Sequence, residues 1–367
     1  MSRNYKIKMT NTYKNIYSDL YNLDKKTLKY TIGMIKKNLK EMHISLRNLK
    51  KMNVLNIGTG RESVVFHILG AKKVFHRDIS PVAVGTVQKH SKKFNRLETK
   101  EINICNDELN LPEKVDLIYL CGVFHHFNKP KFALQNLINN LNYNGVIFIR
   151  NYSSGSSFFF IADCIRKFLP QTKTKLIQKL LKDTIQNKFG KFKLDNKFWD
   201  LSYKTYLYNA TVDNCCVPTL NLFDSNNFQK CFEENNFQNL LKIKYPQYML
   251  NDFDHIGLLM RSYIFKNLNK TTPKMKTNNL KIIDQLNIKY KESYINKTVK
   301  LMKKKLSKIK KYSLKEKIDL LIDLKFISNA YRYQKFYSKI TVNYYKKNLK
   351  KLSNHKGIHE LFRSRIG

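Results

Sequence analysis

Gly58-Thr59-Gly60 directly follows the apolar run Val54-Leu55-Asn56-Ile57 and directly precedes a helical stretch, Ser63–Leu69. Two glycines in such a turn let the backbone approach a ligand closely, and the start of a helix adds unpaired N–H groups. Asp78 stands 20 residues past Gly58, at the end of the next strand-like run, Lys73–Arg77. A carboxylate there is suited to take hydrogen bonds from both hydroxyls of a ribose. Together these residues predict an adenosine-containing ligand, and the combination suits nicotinamide and sulfonium cofactors alike. A second feature is His125-His126, which follows the apolar run Val115–Leu120. An imidazole at a strand end can act as general base on an acceptor hydroxyl or amine. The same pair can instead shape the loop or touch the cofactor.

The elements that must position these residues are legible as an alternation. Residues 12–50 read as one or two helices, with Leu28, Ile32, Ile35 and Leu39 at helical spacing. Strands are expected at Val54–Ile57, Lys73–Arg77, Glu101–Cys105, Val115–Leu120 and Val146–Ile149. Helices are expected at Ser63–Leu69, Pro81–Asn95 and Pro130–Leu141, with Asn144-Gly145 as a turn. Strands and helices that alternate at these lengths argue for a parallel sheet covered on both faces. Residues 153–212 break the alternation. They hold Phe158, Phe159, Phe160, Trp199, Tyr203, Tyr206 and Tyr208, and have helical stretches at 161–168 and 174–187. An insertion at this point is expected to form a lid over the carboxyl ends of the strands. A helix at 225–235 and two closing strands, Phe237–Tyr245 and His255–Phe265, complete the domain.

Three stretches now show a likeness. Val54–Gly60 (VLNIGTG), Val74–Pro81 (VFHRDISP) and Val115–Pro130 (VDLIYLCGVFHHFNKP) resemble, in order and at the expected spacing, successive motifs of class I S-adenosylmethionine-dependent methyltransferases. The similarity covers roughly residues 50–152, and the GVFHHF form looks like the small-molecule and lipid-type branch, with a type 11/12-like domain. The resemblance implies an α/β fold: a Rossmann-like seven-strand methyltransferase sheet with helices on both faces, here followed by a C-terminal all-helical domain. It implies S-adenosylmethionine as cofactor, with Asn56, Gly58, Thr59 and Gly60 at its methionine end. By the same analogy Asp78 holds the ribose, Ile79 packs on the adenine, Asp107 faces the adenine amino group, and Cys121 and Gly122 edge the cofactor after strand four. Asn56 stands where the family usually has an acid, and Glu62 where a third glycine is common. The acid after strand three has two candidates, since Asn103 and Asp107 both fit. His125 and His126 are the candidates for a catalytic base.

The expected reaction is transfer of a methyl group to an O, N or C nucleophile of a small or lipid-like acceptor. Two rivals stand beside it: an RNA-directed methyltransferase and a non-catalytic binding protein that keeps the fold. No Asn/Asp-Pro-Pro-aromatic motif follows strand four, as in enzymes that methylate base amino groups. There is also no Pro-Cys dipeptide of the kind that methylates cytosine carbon. The six cysteines form no CxxC pair, no His or Cys cluster has zinc spacing, and no metal is expected. The start carries no secretory signal and no apolar run is long enough to cross a bilayer. A cytoplasmic location is expected, with peripheral attachment to an acidic membrane surface as an option.

The formal net charge is +42, unevenly placed. Residues 271–367 hold 26 basic and 6 acidic residues, net +20, against net +6 for residues 51–150. Three segments follow: a helical lead, 1–50; a methyltransferase domain, 51–270, with its lid at 153–212; and a basic helical domain, 271–367. In the last, Leu280–Lys311 reads as a basic helix, and Ser313 with Glu316 forms a capping box that opens another. Charge of this kind suits an anionic membrane surface or RNA as partner.

Overall fold

The computed structural model describes residues 7, 9–10, 23–91, 95–152, 169, 173–189, 195–196, 201–202, 215–221, 223, 225–240, 260–276 and 311–321. The chain divides into two compact units. One comprises Met1–Ser153, Val217–Leu241 and Met260–Asp284; the other comprises Ser154–Cys216, Lys242–Leu259 and Gln285–Gly367. Residues 271–276 thus belong to the first unit, where the sequence suggests the start of a separate domain. Met275 is buried there, and its amide donates to Gln135 Oε1 at 2.8 Å.

The first unit is built on a seven-stranded sheet. Its strands are β1 (Asn53–Ile57), β2 (Lys73–Asp78), β3 (Leu97–Glu101), β4 (Val115–Cys121), β5 (Leu141–Tyr152), β6 (Phe237–Asn239) and β7 (Met260–Asn267). They lie in the order β3-β2-β1-β4-β5-β7-β6. The first five are parallel, and β7 runs antiparallel to both its neighbours. Central strands buried on both faces favour apolar runs: β4 carries Leu117–Leu120, and β1 is buried throughout, its Asn56 included.

One face is covered by α1 (Lys25–Glu41) and α3 (Arg61–Ile68), with the short α2 (Leu46–Leu49) between them. Asp24 caps α1 by accepting from the Thr27 amide at 2.7 Å. Ile35 and Leu39 of α1, Val65 and Phe66 of α3, and Val54, Val74, Leu117, Tyr119 and Phe148 of the sheet form one core. Further helices are α4 (Pro81–Ser91), α5 (Pro130–Asn139) and α7 (Ser225–Glu233). On α7, Phe232 stacks on Phe265 of β7 at 4.1 Å, and Phe228 meets Tyr263 at 4.7 Å.

Two expected boundaries are corrected. The third strand is Leu97–Glu101, not Glu101–Cys105. As an edge strand bonded only to β2 it needs no apolar run, and its polar residues LETKE hid it; the buried Ile102 and Ile104 lie beyond its end. Asn144-Gly145 does not separate helix from strand. It sits in an irregularity within β5, where the pairing with β4 jumps from Val115↔Leu141 to Leu117↔Val146 and Asn144 adopts φ 60°.

In the second unit, α6 (Thr174–Phe189) matches the helix expected at 174–187, and α8 (Leu314–Leu321) follows the expected capping box. Ser313 Oγ accepts from the Glu316 amide at 3.3 Å, while Glu316 Oε2 accepts from the Ser313 amide at 2.7 Å. Ile177, Leu181 and Ile318 are buried, and Thr184 Oγ1 donates to Asp319 Oδ1 at 2.8 Å. Residues 195–196 and 201–202 pair as a minimal antiparallel ribbon. Phe158, Phe159, Phe160, Trp199, Tyr203, Tyr206, Tyr208, the helical stretch 161–168 and most of Leu280–Lys311 lie outside the described residues.

Tyr119 bears on most of the first core. Its ring stacks on Phe148 at 4.6 Å and meets Phe66 edge-on at 5.1 Å, and its hydroxyl accepts from Asn38 Nδ2 at 2.6 Å. Tyr119→Phe strands a buried amide and is expected to cost about 1–3 kcal/mol. Adding Asn38→Leu should recover much of that loss, because both polar partners are then gone. Urea unfolding followed by circular dichroism measures both; an unchanged midpoint in Tyr119→Phe refutes the assignment.

Candidate functional site

The strand order reverses between β1 and β4: β2 and β3 extend to one side, β5 to the other. At such a point the loops after adjacent strands diverge and leave room beyond their carboxyl ends. Gly58 follows β1, Asp78 ends β2, and Gly122 follows β4, so all three stand at this edge. Gly58 has φ 139° and Gly60 φ 90°, conformations that side chains disfavour. A Cβ on Gly60 would also collide with the Val87 methyl of α4. Gly60 is the N-cap of α3 and supplies no side chain, so the first amides of that helix are not capped by it. Among the described residues, nothing lies within 4 Å of where a Cβ on Gly122, φ 74°, would stand.

Asn56 is used within the protein at both ends. Its Nδ2 donates to the Tyr119 carbonyl at 3.1 Å and its Oδ1 accepts from Ser63 Oγ at 2.7 Å. A carboxylate cannot donate to the Tyr119 carbonyl, which gives the departure from the family's usual acid a physical reason. The side chain cross-links β1 to β4 and to the first turn of α3. Glu62, likewise buried, receives a 3.5 Å bond from Thr59 Oγ1 and lies 3.7 Å from Arg61.

Beside the loop, His76 of β2 is fully buried. Its Nε2 lies 2.8 Å from the Gly58 carbonyl and its Nδ1 2.6 Å from Thr99 Oγ1. Burial lowers its pKa to about 4. Two residues on, Asp78 Oδ1 accepts from the Ser80 amide at 2.6 Å. Burial pushes this carboxyl up to about 7; the Ser80 amide opposes the rise and the Glu101 charge adds to it. Ile79 is half-buried next to it. Between these residues, Arg77 points elsewhere, bonding Glu98 at 2.5 Å.

Cys121 pairs with Arg150 of β5 in register. Burial raises its thiol pKa, while Arg150 and Arg61 pull it back. Arg150 Nε donates to Ser262 Oγ at 3.1 Å. After β3, Asp107 closes its own loop: Oδ2 accepts from the Asn103 amide at 3.0 Å, and Asn103 Oδ1 accepts from the Cys105 amide at 3.2 Å. Asn136 of α5 holds this loop through the Asp107 carbonyl at 2.7 Å. Asp107 is exposed and Asn103 half-buried.

His125 and His126 form a short 3₁₀ turn after β4, and both are buried. Burial, then the charge of His126, lowers the His125 pKa well below 6.5. Among the described residues neither His125 ring nitrogen makes a hydrogen bond, although Asn151 faces the ring. His126 Nδ1 lies 3.1 Å from the Thr219 carbonyl, and the Asn221 amide donates to the His125 carbonyl at 2.7 Å.

The edge therefore gathers Gly58, Thr59, Gly60, Asp78, Ile79, Cys121 and Gly122, while Asn56 turns inward. Sequence reasoning passed over His76, Arg61, Arg150 and Asn151. A histidine in the otherwise apolar start of β2, two residues before Asp78, was the one available signal. Asp78 also sets a pH dependence. Its folded pKa lies above the ordinary 3.8, so its contribution is intact below that value and is lost as pH rises through about 7. Asp78→Asn should match the parent near pH 4 and exceed its stability at pH 8, by about 2 kcal/mol after allowing for partial exposure. Thermal melts across pH 4–8 test this; equal stability at pH 8 contradicts it.

Comparison with known proteins adds the family. No curated protein sequence matches the chain. Among solved structures, PKMT2 from Rickettsia typhi is 19% identical, with a TM-score of 0.41 over 64% of this chain and 52% of that one. The N-methyltransferase NodS from Bradyrhizobium japonicum, in complex with S-adenosylhomocysteine, is 18% identical, with a TM-score of 0.30 over 39% and 74%. TehB from Haemophilus influenzae is 24% identical, with a TM-score of 0.28 over 33% and 41%. The chain spans about half the length of the Rickettsia protein. A family model described as a methyltransferase domain matches residues 30–242, a span that runs from α1 past β6 and takes in every loop at the strand reversal. The chain belongs to that methyltransferase-domain family.

Proposed function

We propose that the protein transfers a methyl group from S-adenosylmethionine to an O, N or C nucleophile of a small or lipid-like acceptor. The observation that carries this reading is the placement of the Gly58–Gly60 loop, Asp78 and Gly122 around the strand reversal between β1 and β4. The residues fit an adenosine cofactor: uncapped helix amides, a Gly122 whose Cβ position meets no described residue, and a carboxylate with hydrogen-bonding capacity beyond the Ser80 amide. The bound cofactor supplies an electrophilic methyl on a sulfonium, open to in-line displacement.

The chain's own residues bind and orient. Asp78 takes the ribose hydroxyls, Ile79 packs on the adenine, and Asp107 or Asn103 meets its amino edge. The Gly58–Gly60 backbone, Cys121 and Gly122 line the rest. Ribose hydroxyls donate to the ionised carboxylate, so binding favours loss of the Asp78 proton. His125 and His126 shape the turn after β4 in this reading, since the first is buried with a depressed pKa and the second faces a backbone carbonyl. Alignment supplies most of the rate when the acceptor is already nucleophilic.

Calorimetry with S-adenosylmethionine tests the assignment. Asp78→Ala should weaken binding by about 1–3 kcal/mol, as loss of a charged hydrogen bond does, and NADH should not compete. Protein that binds NADH and ignores S-adenosylmethionine contradicts the reading. Cofactor binding without any methylated product in a small-molecule and lipid extract favours a non-catalytic binding protein.

The net +20 of residues 271–367 favours a second reading, contact with an anionic surface of membrane or RNA. The stretch Leu301–Lys310, LMKKKLSKIK, is its densest part. Changing Lys303, Lys304 and Lys305 to Glu in the full chain should abolish sedimentation with acidic vesicles at low salt, since each nearby Lys contributes about 1 kcal/mol. A gel shift with RNA that responds instead points to the RNA-directed alternative. Parent protein that binds neither returns the lysines to a solvated surface.

A further inference from the structure

We propose that His76 is the positioning residue of the cofactor loop, anchoring the Gly58 carbonyl through Nε2–H while Thr99 partners its Nδ1. The inference rests on the cofactor reading above and extends it to a residue outside the loop itself. A carbonyl oxygen only accepts, so the 2.8 Å contact requires the proton on Nε2. The Nδ1 of that tautomer carries a lone pair, so Thr99 Oγ1, 2.6 Å away, must donate to it. With the proton on Nδ1 instead, a ring lone pair would face the carbonyl lone pairs. The Gly58 carbonyl therefore selects the tautomer, and Thr99 on β3, paired with His76 in register, completes it by donating to Nδ1.

The Gly58 residue is clamped on both sides by β2. Its N–H donates to the Arg77 carbonyl at 3.3 Å, and its own carbonyl accepts from His76. Glycine at φ 139° has no side chain to limit its rotation, so the orientation of the peptide that follows depends on those bonds. In a trans peptide the Thr59 N–H lies opposite the Gly58 C=O, so His76 keeps that donor aimed away from itself. A Cβ on Gly60 would stand 3.4 Å from His76 Nε2, which places the ring directly against the turn. His76 and Asp78 share one face of one strand, so a single rigid element sets both the loop and the ribose carboxylate.

The test measures S-adenosylhomocysteine affinity by calorimetry for the parent, His76→Leu, His76→Gln, Thr99→Val and the pair Thr99→Val with His76→Gln. Gln places an N–H donor where Nε2 stands, so it should bind within a few-fold of the parent. Loss of the donor in His76→Leu should weaken binding about tenfold or more, the equivalent of one hydrogen bond. Thr99→Val leaves the buried Nδ1 without a donor, so it should weaken binding several-fold alone and add nothing in the His76→Gln background, where no Nδ1 remains to satisfy. Nitrogen-15 NMR should show the His76 proton on Nε2 in the parent and still on Nε2 in Thr99→Val, because the Gly58 carbonyl sets it; this decides the matter if His76→Leu fails to fold. Folded His76→Leu that binds like the parent, additive effects of Thr99→Val, or an Nδ1 proton in the parent each overturn the proposal. A parent that binds no S-adenosylhomocysteine overturns the cofactor reading itself.

Discussion

The first unit depends on how Tyr119 is held at the middle of the sheet. Its ring packs α3 through Phe66 and β5 through Phe148, and its hydroxyl fixes α1 through Asn38. Its backbone carbonyl takes the Asn56 amide, and Asn56 in turn takes the Ser63 hydroxyl. One residue of β4 thereby fixes where the helical lead lies, where α3 begins, and so where the turn between β1 and α3 must run. Interiors are packed too closely for such a hub to shift without moving its neighbours. The edge at the strand reversal inherits its shape from this core.

Strand β2 combines contrary electrostatic demands over three residues. His76 is kept neutral by burial, Arg77 is paired with Glu98, and Asp78 sits where burial opposes ionisation. Alternation along the strand makes this feasible, because His76 and Asp78 face one side and Arg77 the other. The cost falls on Asp78, whose charge is disfavoured in the folded chain and would be favoured by the ribose hydroxyls of the proposed cofactor. A site that is less stable when charged and empty is one where binding and stability are linked.

Much of this was legible in the sequence, for identifiable reasons. Buried strands such as Val54–Ile57 and Val115–Leu120 must be apolar on both faces, so they announce themselves. The Gly58–Gly60 turn and Asp78 are fixed by backbone geometry and by charge, which single residues report well. The edge strand β3 was misplaced because an edge tolerates the polar run LETKE, and hydropathy does not mark it. The inward turn of Asn56 was not legible either, since its partners Tyr119 and Ser63 are set by tertiary register. His76 was passed over because its role lies in two contacts, one to a backbone carbonyl and one to a neighbouring strand.

The sheet order has a temporal side. Strands β1 to β5 are complete once Tyr152 has been made, but the strand that covers the free side of β5 begins only at Met260. At ribosomal speeds the interval lasts roughly 5–20 s. Throughout it β5 presents Val146–Tyr152 as an unpaired edge, rich in Ile and Phe, of the kind to which other chains add. Mutual strand exchange between newly made copies through β5 is thus the hazard that the late arrival of β7 removes.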